Sequence, residues 1–264
     1  MIRILFVGDI MGGAGRRAVR EHLEPLVDRE NVDFVVANVE NVAGGFGITT
    51  GVMAELDDLP VQVWTTGNHV WDKKEGLPLL DAHPALLRPA NYPEGNPGRG
   101  WCVEETAAGV PVAVVNLQGQ ALMPPIDNAF RCADRVLEEI GSQHPEVRLI
   151  LVDMHAEATS EKQAMGWYLD GRVTAVLGTH THVPTADERL LPGGTAFQTD
   201  VGMTGPYESI IGMRPEKVLE RFLFNTPRPF EPAKRGIELR GALVDADEES
   251  GRALAIRRVR LEGP

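Results

Sequence analysis

A chain of 264 residues with 43% apolar and 24% charged side chains can bury a sizeable core, and no apolar run approaches the ~20 residues of a membrane span. Its formal net charge of -12 argues against a broad basic surface for polynucleotides or anionic membranes, so chemistry on phosphates would need a local positive centre, most naturally a metal. Two cysteines, Cys102 and Cys132, make neither a disulfide framework nor a CxxC site, and the N-terminus reads as a strand rather than a signal peptide; a cytoplasmic protein is expected.

Six short Val- and Ile-rich runs predict strands at Ile2–Val7, Asp33–Ala37, Val61–Thr65, Val112–Leu117, Val147–Val152 and Val173–Leu177. They lack strict alternation, as strands buried on both faces do. Helical periodicity falls between them, at Arg16–Val27, Ala129–Ile140 and Glu161–Leu169, and again at Pro215–Phe224, where Pro215 suits a first helical turn. Alternating strands and helices imply an α/β fold. Three stretches depart from that rhythm and read as hairpins, turning at Ala108–Gly109, at Pro192–Gly194 and near Glu249–Gly251. The sheet is therefore mixed, or two sheets share the core. No repeat or linker is evident, so a single domain over residues 1–264 is the simplest organisation.

Ligands of open α/β sheets bind beyond the carboxyl ends of strands, and there this sequence is chemically rich. The first run leads to Asp9 in "GDIMG" and the second to Glu40 and Asn41 in "NVEN". The third leads to Asn68 and His69 in "GNH", the fifth to His155 in "DMH", and the sixth to His180 and His182 in "GTHTH". Each has an ordinary reading alone. Asp9 can cap a helix, Glu40, Asn41 and Asn68 can sit in turns, and His155 can be a structural histidine. The histidine pair in "GTHTHVPT" can be a polar loop. Five such strand ends at one sheet edge are more economically read as one set. Carboxylate, amide and imidazole donors together suit Mn, Fe, Zn or Ni, and the absence of cysteine disfavours a structural zinc. About eight groups exceed one octahedral shell, and two ions roughly 3.5–4 Å apart that share a carboxylate would use them.

The ordered blocks, above all "GNH" and "GTHTH", resemble those of the calcineurin-like metallophosphoesterases. Met11 stands where that family usually has a histidine, and "VEN" replaces its usual Gly-Asp. Both departures match the YmdB-like phosphodiesterase branch, as do "GDIMGGAGR", "NVENVAGGFGIT", "TTGNHVWD" and "QTDVGMTGP". The resemblance implies mixed sheets packed as a sandwich flanked by helices. It also implies two transition-metal ions per chain, iron first and manganese second. Asp9, Asn41 and His182 would hold one ion and Asn68, His155 and His180 the other, with Glu40 bridging. His69 would be the general acid. The implied reaction is hydrolysis of a phosphodiester by a metal-bridging hydroxide, with 2′,3′-cyclic nucleotides as substrates and a homo-oligomer as the assembly. No basic cluster is available to track a long polynucleotide.

Other readings stay open on sequence alone. A phosphomonoesterase would use the same clamp, a binding module could keep the fold without turnover, and an amidohydrolase would place its His-x-His early rather than late. Arg16 and Arg17 read as a solvent face or as phosphate contacts. Asp200 reads as a partner of a histidine or as a turn carboxylate, and Val201–Pro206 as a pocket rim or a plain turn.

Overall fold

Residues buried on both faces dictate the architecture. The computed structural model describes residues 1–227 and 229–263. In chain order the strands and helices begin with β1 (Ile2–Val7), β2 (Asp9–Ile10), α1 (Gly12–Glu30), β3 (Phe34–Asn38), α2 (Thr50–Ala54), β4 (Val63–Thr65) and α3 (Leu77–Ala82). The middle of the chain forms β5 (Trp101–Glu105), β6 (Pro111–Gln118), α4 (Ala129–Gln143), β7 (Leu149–His155), α5 (Thr159–Leu169) and β8 (Ala175–Thr179). The last part forms β9 (Arg189–Leu190), β10 (Ala196–Gln198), β11 (Met203–Pro206), α6 (Pro215–Phe224), β12 (Ile237–Ala246) and β13 (Ala253–Glu262).

Two mixed sheets result. One runs β2-β11-β12-β1-β3-β4 with β13 paired to β12, and the other runs β5-β6-β7-β8-β10-β9. In each, a parallel set carries the apolar runs, β1-β3-β4 in one sheet and β6-β7-β8-β10 in the other. The sheets pack face to face, with Ile4, Phe6, Phe34 and Val36 meeting Val114, Leu149, Leu151 and Leu177. On the same strands Leu5, Val7, Val35 and Ala37 point the other way, onto Ala18, Val19, Leu23 and Leu26 of α1. Val115, Val152 and Val176 likewise meet Val136 and Ile140 of α4 and Met165 of α5. The strands read as continuous apolar runs because one face meets a sheet and the other a helix. Helix starts follow local chemistry: the Asn128 side chain accepts from the Arg131 N–H at 3.0 Å to cap α4, and Pro215 opens α6.

The predicted strands exist, with shifted bounds. The strand expected at Val147–Val152 runs on to His155, and that at Val173–Leu177 runs on to Thr179, because polar residues there still pair across the ladder. The strand expected from Val61 begins at Val63. The three hairpins form where expected, although Pro264, the last residue of the third stretch, lies outside the described residues. Two expectations need correction. Val201–Pro206 is neither turn nor pocket rim: Met203–Pro206 is the buried strand β11, pairing with β2 and β12. The ligand-type residues also do not share one sheet edge, since Asp9, Glu40, Asn41, Asn68 and His69 follow strands of one sheet, whereas His155 ends a strand of the other and the His180/His182 pair follows its neighbour β8. Among the described residues no helix is long and apolar enough to cross a membrane.

Candidate metal centre

A polar layer joins the two sheets below the site. Buried Asp153 on β7 accepts from Asn38 of β3 (3.0 Å), Thr65 of β4 (2.5 Å) and Thr179 of β8 (2.6 Å). Burial pushes the Asp153 carboxyl upward, while nearby His155 and these hydrogen bonds oppose the shift. Because the Thr179 hydroxyl donates to Asp153, its oxygen accepts from Nδ1 of His155 at 2.9 Å. That fixes the ring and turns Nε2 toward the junction of the sheets.

Around that nitrogen stand Asn68 Oδ1, Glu40 Oε2 and His180 Nδ1, each at 3.1 Å. His180 turns its other nitrogen to Glu157 at 3.2 Å. The second half of the site is built the same way. His182 donates from Nδ1 to the Ile211 carbonyl at 3.0 Å, and Asn41 donates its amide to the Gly45 carbonyl at 3.0 Å. Asn41 Oδ1 and His182 Nε2 therefore face each other at 3.1 Å as two acceptors. Such a contact needs a proton or a cation between the lone pairs. Single atoms of Glu40, His155 and His180 lie within 4.8 Å of one another, and so do those of Asp9, Glu40 and His182. Glu40 belongs to both groups.

The electrostatics fit a cation. Asp9 and Glu40 are buried, and Oδ1 of Asp9 and Oε1 of Glu40 have no hydrogen-bond partner. A buried unpaired carboxylate oxygen is costly unless a positive group meets it. Burial pushes Asp9 up to about 6, against the pull of His182 and His155. Burial acts the same way on Glu40, but His155 outweighs it and takes the carboxyl down to about 2. His155 is raised to about 9: burial opposes this, and the Glu40 carboxylate overrides it. His180 falls to about 3 through burial and the neighbouring His155 charge. A metal ion between these groups would supply the positive charge that the two buried carboxylates attract.

The backbone is committed to this geometry. His180 and His182 have φ of 97° and 65°, and Ile211, whose carbonyl orients His182, has φ of 46°. Left-handed β-branched or bulky residues are rare and strained, and they persist only where surroundings hold them. Here Asp200 does the holding. Its Oδ2 accepts from the N–H (3.2 Å) and hydroxyl (2.7 Å) of Thr181, the residue between the histidines, and from Nζ of buried Lys162 at 2.6 Å. Gly178 lets this happen, since a Cβ there would lie 1.7 Å from the Thr199 carbonyl oxygen and 2.8 Å from the Lys162 stem. Gly67 is similarly required: a Cβ would lie 2.2 Å from His155 Nε2 and 2.4 Å from Glu40 Oε2.

All eight residues singled out in the sequence converge here. Asp9 does not cap α1, whose N-cap Met11 makes no side-chain bond. His69 stands beside these groups, donates its N–H to Glu40 at 3.2 Å and sets Nδ1 against Asp72 at 2.8 Å. Asp200 touches Thr181 rather than a histidine. Arg16 is not simply solvated, because its guanidinium bonds the Val42 carbonyl (2.8 Å) and Glu55 (2.8 Å), bracing the loop after Asn41. Lys162, Asp72, Asp153 and Glu157 were not foreseen. Only Asp72, three residues after His69, carries a local signal.

The family model for YmdB-like proteins matches residues 5–259. The 2′,3′-cyclic-nucleotide 2′-phosphodiesterase of Bacillus subtilis is 46% identical over 98% of this chain and 96% of its own length. A crystal structure of a hypothetical protein from Thermus thermophilus superposes with a TM-score of 0.92 at 44% identity, covering all of both chains. A crystal structure of a novel phosphatase from Mycoplasma pneumoniae gives 0.91 at 33% identity, covering 99% of this chain and 93% of that one. These matches run the length of both sheets and through every strand end of the site. The chain belongs to the YmdB-like family and has its calcineurin-like metallophosphoesterase fold.

Proposed function

We propose that this chain hydrolyses phosphodiesters at a dinuclear metal site, with 2′,3′-cyclic nucleotides as the substrate class. The observation that carries the reading is the pair of three-residue groups that share buried Glu40. The activity named for the Bacillus relative supports the substrate class. Asp9, Asn41 and His182 would hold one ion, Asn68, His155 and His180 the other, and Glu40 both. The mixture of carboxylate, amide and imidazole supports a transition metal such as Mn, Fe, Zn or Ni, and the family resemblance puts iron first and manganese next. When bound, the ions would acidify a water and offset charge on the phosphate.

The chain's own groups do the rest. Thr179 and the Ile211 carbonyl hold the imidazoles of His155 and His182 with their Nε2 lone pairs inward. His69, with Nδ1 against Asp72, keeps its other nitrogen for the oxygen that leaves phosphorus and acts as general acid there. The acidic surface supports a small substrate over a polynucleotide.

The test combines metal content with activity on bis-p-nitrophenyl phosphate, p-nitrophenyl phosphate and 2′,3′-cyclic AMP. About two transition-metal ions per chain are expected, with diesterase activity lost on chelation and restored by iron or manganese. Glu40→Ala should lose metal, whereas His69→Ala should keep it and lose roughly 10²–10⁴-fold in rate. A metal-free protein with no activity on reconstitution would overturn the reading, and preference for the monoester would make it a phosphatase.

A further inference from the structure

Beside the metal groups lies a cavity of about 330 Å³. Its inner wall is Glu40, Asn41, His69, His180 and His182, and its outer wall is almost wholly apolar. Phe46 comes from the loop after Asn41, and Ile210, Ile211 and Met213 come from the segment after β11. Phe222 belongs to α6, and Phe230 follows it. Three aromatic rings from three separated segments thus border one space that opens onto the candidate metal ligands.

The rings are placed for use. Phe46 meets the His69 ring edge-on, with centroids 5.0 Å apart, so this wall adjoins the residue read as general acid. The Arg221 guanidinium covers Phe230 at 4.9 Å from its centroid and holds that ring. Phe222 is 81% exposed. A phenyl ring left in water at the mouth of a catalytic cavity offers a face to whatever the cavity admits, and a flat apolar surface is what stacks on it.

We propose that this wall is a nucleobase subsite. It stacks the base of a cyclic nucleotide on Phe222, with Phe46 and Phe230 beside it, while the phosphate lies against the histidines. The inference rests on the diesterase reading and adds to it the part of the substrate that gives selectivity. Away from the inner wall the cavity offers few polar side chains, chiefly Glu157 and Thr181, so base edges are not read by hydrogen bonds. The subsite accepts any base, as stacking platforms do, because every base has a π face.

The experiment compares kcat/KM of the metal-loaded enzyme on 2′,3′-cyclic AMP, 2′,3′-cyclic CMP and methyl ribofuranoside 2′,3′-cyclic phosphate, which carries the same cyclic ester without a base. The nucleotides should exceed the base-free ester by roughly tenfold or more, the scale of one base stacked on one ring, and should differ from each other by less than that. In Phe222→Ala the nucleotide-to-base-free ratio should fall several-fold, mostly through KM, and in Phe222→Trp it should be kept. Phe222 is exposed, so these substitutions leave the core intact. A wild-type ratio near one, or a ratio unmoved in Phe222→Ala, overturns the subsite while leaving the diesterase reading standing. Failure to hydrolyse any of the three esters overturns the diesterase reading, and the subsite with it.

Discussion

Replacing Lys162 by methionine should unsettle both the fold and the metal site, and by a magnitude the structure sets. Lys162 is fully buried and Asp200 is 1% exposed, with Nζ 2.6 Å from Oδ2. Removing the ammonium strands a carboxylate in the interior, a change that typically costs about 3–5 kcal/mol. Three hydrogen bonds remain to that carboxylate, two from Thr181 and one from the Gly202 N–H, which argues for the lower end, about 3 kcal/mol. For a chain of this size that corresponds to a fall of roughly 6–12 °C in Tm. Folding should survive, since domains commonly hold about 5–15 kcal/mol. Thr181 sits between two left-handed histidines, so metal affinity should also drop about 10–100-fold. The assay is urea unfolding of chelator-treated protein, with metal affinity measured by competition against a chromogenic chelator. Adding Asp200→Asn to Lys162→Met removes the stranded charge and should recover about 2 kcal/mol. A loss below about 1 kcal/mol in the single variant, or no recovery in the double, would refute the account of this pair.

Other outcomes follow from the same geometry. Gly67→Ala drives a methyl group into His155 and Glu40, so the protein should fold but bind less than one ion per chain by elemental analysis. Asp72→Asn should keep its metals and lose roughly tenfold or more in diesterase kcat, because His69 loses the partner that sets its ring; unchanged kcat would rule out that role. Burial pushes the Cys102 thiol up to about 12 and raises Cys132 as well, so neither should react with a disulfide reagent at about pH 8 until the chain is unfolded. Hydrogen bonding from Arg3 holds the Asp245 carboxyl below its ordinary range. A depressed acid stabilises the fold above its unfolded-state pKa, and that contribution is lost as pH falls through the folded value. The destabilisation by Asp245→Asn, about 1 kcal/mol at neutral pH, should therefore fade below about pH 4 in denaturant titrations.

The candidate site was legible in the sequence because each ligand-type residue interrupts an apolar run at a strand end, where apolar packing has no use for it. Fold class was legible for the same reason: Ile2–Val7 and Phe34–Asn38 show no alternation, and both faces prove to be covered. What was hidden depends on distant chain segments meeting. Lys162 carries no local signal within its short helix, and only the approach of Asp200, 38 residues away, gives its buried ammonium a partner. Asp153 reads as part of "VDMH", and its partners Asn38 and Thr65 lie in the other sheet. β11 was missed because its glycine and proline mimic a turn, whereas its pairing with β2 and β12 settles its conformation.

The two-sheet origin of the site has a consequence for biogenesis. Asn68 and His155 lie 87 residues apart, and the carboxylate and amide half of the site leaves the ribosome before the second sheet is complete. At about 5–20 residues per second, that interval lasts on the order of ten seconds. During it the nascent chain carries Asp9, Glu40, Asn41 and Asn68 but none of the three histidines that complete the two groups. An ion captured then would have only oxygen ligands and would exchange freely. Metal choice would thereby be deferred until β7 and β8 have docked and brought the imidazoles to the site, so that the finished protein, not the growing chain, would select its metal.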